Sequence, residues 1–137
     1  MTYAENKTIT QSQFDEEQKN FTGTDGYYRH GLLPKGVGPI YTDGVQYIAD
    51  TQGAYWLLDL IILTYAYDEQ GIFKANNAEN DMLVWQLNRT FGTDEFTLTA
   101  MGGSGLIFTK VVPYSDCPVD KVIMWQANGV LYLPSEH

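Results

Sequence analysis

The chain has 137 residues, a formal net charge of −9, 44% hydrophobic residues, ten tyrosines and a single cysteine. Its apolar and aromatic content excludes a disordered chain, and one cysteine excludes an internal disulfide. The acidity argues against direct contact with nucleic acid, which is bound by Lys and Arg displacing condensed counterions.

The first nine residues are polar without a period, and no charged-then-apolar signal segment stands among them. A cytoplasmic protein of one domain, residues 1–137, is therefore expected. Residues 10–21 (TQSQFDEEQKNF) predict a short surface helix with acids in its first turns and Phe14 and Phe21 as sparse anchors. Residues 22–39 hold five glycines and two prolines, which predicts a loop with turns. That loop carries Tyr27, Tyr28, Arg29 and His30. Such side chains stack on and hydrogen-bond a ligand, or pin a loop to the core.

Thr42 is placed to cap a helix and Asp43 to complement its positive end. Val45, Ile48 and Ala49 follow at helical spacing, and Gly53 supplies a left-handed stop. From Ala54 the run AYWLLDLIILTYAY is apolar nearly all round, which predicts a central buried helix too short to cross a membrane. Burial of Trp56, Leu57, Leu60, Ile61 and Leu63 would contribute about 1.5 to 3 kcal/mol each before entropy is counted. Asp59 interrupts that run between Leu58 and Leu60, where an unpaired charge is costly. It calls for a partner, Arg29 or His30, and the pair Asp59 and Arg29 is the expected structural pin. Residues 67–81 read as a polar connection, with Gly71 ending the helix.

The pattern then changes to alternation. Residues 82–90, 95–101 and 106–112 predict three strands, with turns at 91–94 and 102–105 and Pro113 closing the third. Residues 122–127 and 130–133 flank Asn128-Gly129, the dipeptide of a tight hairpin, and Pro134 stops the last strand. The expected class is α+β: an antiparallel sheet of about five strands with the N-terminal helices packed on one face.

No catalytic signature is present. Ser104 lies between glycines in a turn without the frame of a nucleophile elbow. Cys117 lies between acids in SDCPVD, which raise a thiol pKa and make a poorer nucleophile. Two scattered histidines are a poor supply of metal ligands. Asp43 and Asp50 share a helix face about 10 Å apart, too far for a common ion without other ligands. No cofactor and no metal are expected.

The chain resembles an uncharacterised family of short proteins from bacteria and their phages. The resemblance rests on Phe21-Thr22-Gly23-Thr24, Tyr27-Tyr28-Arg29-His30, Tyr41-Thr42-Asp43-Gly44-Val45, Gly53-Ala54-Tyr55-Trp56-Leu57, Asn128-Gly129-Val130 and Leu133-Pro134-Ser135-Glu136. It implies a mobile-element context, in which small acidic proteins often inhibit host defence complexes in the manner of an anti-CRISPR protein. With the charge, it leads to a non-enzymatic protein that binds a basic, nucleic-acid-binding protein partner. The partner-binding candidates are Tyr27, Tyr28, Arg29, His30, Tyr41, Asp43, Asp50, Tyr55 and Trp56. One alternative is a small-molecule or nucleotide-signal module using the aromatic loop with Tyr41, Tyr55 and Trp56. A weaker one is a hydrolase using Asp43, Asp59 and His30. Self-association is expected through an edge strand, residues 95–101 or 130–133.

Overall fold

Alternation in the C-terminal half of the chain builds the sheet on which everything else rests. The computed structural model describes residues 11, 13, 26–30, 39–51, 53, 55–68, 71–75, 82–103, 105–115, 117 and 119–136. Its strands are β1 (Tyr27–Arg29), β2 (Ile40–Thr42), β3 (Leu83–Arg89), β4 (Phe96–Gly102), β5 (Gly105–Val112), β6 (Lys121–Ala127) and β7 (Val130–Tyr132). They form one seven-stranded sheet in the order β1-β2-β7-β6-β3-β4-β5. Along β3 the side chains of Leu83, Trp85 and Leu87 are buried, and register sets them beside Ala100 and Leu98 of β4 and Met124 and Val122 of β6. These residues make one apolar face, as a period of two requires. Between β6 and β7, Asn128 and Gly129 both have positive φ, 53° and 77°, the backbone a two-residue hairpin needs.

Three helices cover that apolar face: α1 (Asp43–Thr51), α2 (Tyr55–Tyr67) and α3 (Ile72–Ala75). In α1, Thr42 caps as its type dictates, its hydroxyl oxygen accepting from the Val45 amide at 3.3 Å. Val45, Ile48 and Ala49 are buried, and Gly53, at φ 62°, lies beyond the helix end. In α2 the buried positions are Leu57, Leu58, Ile61 and Ile62. Trp56, Leu60 and Leu63 are half-buried against the core, so α2 is covered on one side rather than all round.

The class is α+β, but the sheet is larger and mixed rather than five-stranded and antiparallel. Residues 27–29, expected in a loop, form an edge strand antiparallel to β2. β2 in turn runs parallel to β7, Ile40 opposite Val130 and Tyr41 opposite Leu131. Strands of three residues are too short to show a period, and what recruits them is the outer edge of the β6–β7 hairpin. Among the described residues the edge strands are consequently β1 and β5. The expected edge segments 95–101 and 130–133 are interior, since β4 lies between β3 and β5 and β7 between β6 and β2.

The polar connection after α2 also departs from expectation. α2 ends at Tyr67, where Asp68 takes φ 40°, and Gly71, at 66°, serves the following turn. The Asp68 carboxylate then accepts from the Phe73 amide at 3.1 Å and the Lys74 amide at 3.0 Å, and so holds the first turn of α3. This places Phe73 in the core against Tyr65, Trp85 and Phe108. The predicted N-terminal helix lies outside the described residues except for Gln11 and Gln13, both helical. Gln11 acts there as a stand-in peptide group: its oxygen accepts from the Asp120 and Lys121 amides and its nitrogen donates to the Lys121 carbonyl. The FTGT motif and residues 31–38 also lie outside the described residues. Among the described residues no helix is long and apolar enough to cross a membrane.

Candidate functional site

The register of β1 on β2 decides which sequence candidates meet. Tyr28 is opposite Tyr41, and their rings stack with centroids 5.7 Å apart and planes 26° from parallel. Neighbours along a strand point to opposite faces, so Tyr27 and Arg29, paired with Thr42 and Ile40, lie on the other side of the sheet. His30 follows on the helix side, where it is buried at 7% exposure. Its Nε2 lies 2.6 Å from Oδ1 of Asp59 on α2. A carboxylate accepts, so Nε2 donates. Tyr55 stands one turn before Asp59 and therefore on the same helix face.

The pin is therefore made by His30 and not by Arg29. Its burial is also the reverse of what the sequence implies. The histidine is enclosed and the Asp59 side chain is 56% exposed, because α2 presents its fifth residue at the margin of the covered face. The cost of an isolated buried charge does not arise. One carboxylate oxygen holds the loop end after β1 to α2, and the rest of the group faces solvent.

Tyr41 lies at the junction of these groups. Burial pushes its phenol pKa up, and the nearby Tyr55, Asp59 and Tyr28 add to the shift by disfavouring a second negative charge. Its hydroxyl stays protonated at neutral pH and is a donor. The structure thus brings together Tyr28, His30, Tyr41, Tyr55 and Asp59. It does not bring in the remaining candidates. Trp56 packs against the core, Asp50 is exposed near the far end of α1, and Asp43 belongs to a different cluster at the start of that helix. The nine candidates therefore do not line a single pocket.

The other cluster is one that sequence reasoning missed. A 3-10 turn at Pro134–Glu136 returns the chain to the N-terminus of α1. Oε1 of Glu136 accepts from the Thr42 hydroxyl at 2.8 Å and from the Leu133 amide at 2.9 Å. A Cβ on Gly44 would stand 2.6 Å from that oxygen, so any other residue there would displace the Glu136 carboxylate from this position. A glycine at the start of a helix was the available signal. Thr42 is saturated in both directions, accepting from Val45 and donating to Glu136.

Chemically, the Tyr28–Asp59 cluster offers aromatic faces, phenol hydroxyls and one exposed carboxylate. Among the described residues, no group of three His, Cys, Asp or Glu is placed to hold a metal ion. No curated protein and no solved structure matches the chain. A family model matches residues 12–137, nearly the whole length, and the chain belongs to that family, a family of unknown function designated DUF6876.

Proposed function

We propose that the protein is a non-enzymatic binding protein that captures a basic protein partner on the tyrosine-rich surface of β1, β2 and the start of α2. The observation that carries this reading is the exposure of two tyrosines around an acid. Tyr28 and Tyr55 are 38% and 43% exposed, and the Asp59 side chain is open in the same cluster around Tyr41. Tyrosine covers a large contact area with few rotatable bonds, and an incoming Arg or Lys can stack on a ring face while pairing with the carboxylate. The Tyr28–Tyr41 stack and the His30–Asp59 bond hold part of this surface in place before the partner arrives, which lowers the ordering cost of binding. The net charge of −9 steers a basic protein toward it. A nucleic-acid-binding effector, basic because it must hold phosphates, is the partner class proposed. Occlusion of its phosphate-binding surface would make this protein its inhibitor.

The test compares capture from host-cell extract by the wild type and by Tyr28→Ala/Tyr55→Ala. Both side chains are exposed, so the variant should fold normally. The expected result is a basic protein that the wild type retains at low salt and releases as salt rises, and that the variant fails to retain. Equal retention by the variant, or binding indifferent to salt, would overturn the reading.

A further inference from the structure

On the side of α2 away from its N-terminal turn, the outer surface of that helix, α3 and the edge strand β5 enclose an open groove of about 450 Å³. Leu60, Leu63 and Tyr67 form one wall, and Phe73 and Phe108 form the floor. The floor is rigid: Phe73 is 4% exposed, and its ring lies 5.6 Å from Trp85 and 6.0 Å from Phe108. Lys110 of β5 completes the lining. Its position breaks the apolar row. Phe108, Lys110 and Val112 stand opposite Ala100, Leu98 and Phe96, three residues with no exposed surface, so a lysine sits where alternation calls for a hydrophobic side chain. Asp68 also borders the groove, but both its carboxylate oxygens accept α3 amides. Among the described residues Lys110 has no hydrogen bond or ion pair.

We propose that this groove binds a small amphiphilic organic anion, an aliphatic or arylaliphatic carboxylate, with its charged end at Lys110 and its apolar body on Leu63, Phe73 and Phe108. The volume is in the range of small-ligand sites, and an apolar lining with a few polar groups, here Thr64, Asp68 and Lys110, is their usual composition. The lysine supplies the complementary charge in a protein whose overall field repels anions, so selection is local to the groove. An inward-pointing lysine can instead guard a sheet edge against pairing. That role needs no groove and confers no preference for anions.

Decanoate is the probe, with decanol and decylammonium as controls, titrated into the full chain and followed by amide chemical shifts and calorimetry. The expected result is saturable one-site decanoate binding, with shifts confined to the end of α2, α3 and β5, and weaker binding of both controls. Lys110→Gln removes the charge and keeps a polar, flexible side chain at an exposed position, so it should unfold as the wild type does. It should weaken decanoate about tenfold and leave decanol unchanged. No saturable decanoate binding, equal affinity for decanol, or unchanged affinity in Lys110→Gln would each overturn the proposal and leave Lys110 as an edge guard. None of these outcomes bears on the tyrosine surface, which uses different residues.

Discussion

Glu136 shows how much one side chain can carry. Its carboxylate closes the N-terminus of α1 from 94 residues away, one oxygen shared between the Thr42 hydroxyl and the Leu133 amide. Among the described residues the other oxygen is buried without a hydrogen bond of its own. Burial raises its pKa and Asp43 adds to the rise, while the Leu133 and Thr42 hydrogen bonds act in the opposite direction without cancelling it. A carboxyl group with a folded-state pKa above its unfolded value contributes stability that is complete below the unfolded pKa. That contribution is lost as pH rises through the folded pKa. Glu136→Gln, neutral throughout, removes this dependence. The stability of the wild type minus that of Glu136→Gln should therefore fall as pH is raised from about 4 toward about 7. Urea unfolding at a series of pH values measures it, and a flat difference would show that the carboxylate is not held in a desolvated site.

Among the elements, β1 is a short strand at the margin of the described sheet. It has three residues, all exposed, pairs among the described residues on one side only, and is tied to the helical layer by His30 and Asp59. β3 has partners on both sides and buries Leu83, Trp85 and Leu87. Exposed edge backbone opens at low free energy, whereas a central strand opens only with the whole molecule. Asp59→Ala removes the acceptor of a buried ring nitrogen, a change worth on the order of 1 kcal/mol or more. Native-state hydrogen exchange should then show β1 amides exchanging several-fold faster than in the wild type, with β3 amides far less affected in rank order. Unchanged β1 protection would mean that the pin does not hold the edge. The same comparison explains which elements were legible. β3 to β6 announce themselves by alternation and the last hairpin by Asn128-Gly129. β1, β2 and α3 span three, three and four residues, too few for any period to appear.

At the scale of the whole molecule, 17 acidic residues against eight basic ones leave a self-repelling surface. Added salt screens exposed like charges within about one Debye length, so the thermal midpoint should rise as sodium chloride goes from about 0.01 M to 0.15 M. A falling midpoint would show that exposed ion pairs, such as Arg89 with Asp94 and Asp120, outweigh the repulsion. The same charge links stability to the proposed partner, since salt that relieves repulsion within the chain would weaken its attraction for a basic protein. Local residue patterns specify the class, the α1 cap at Thr42, the apolar helix α2, the strands from residue 83 onward and the final turn. Each of these is written in residues a few positions apart. Tertiary structure alone decided that β2 lies parallel to β7, that His30 rather than Arg29 meets Asp59, that Glu136 returns to Thr42, and that Lys110 borders a groove. Those contacts join residues 29, 90 or 94 positions apart, or different layers, and their energies depend on burial that exists only once the sheet and helices have packed.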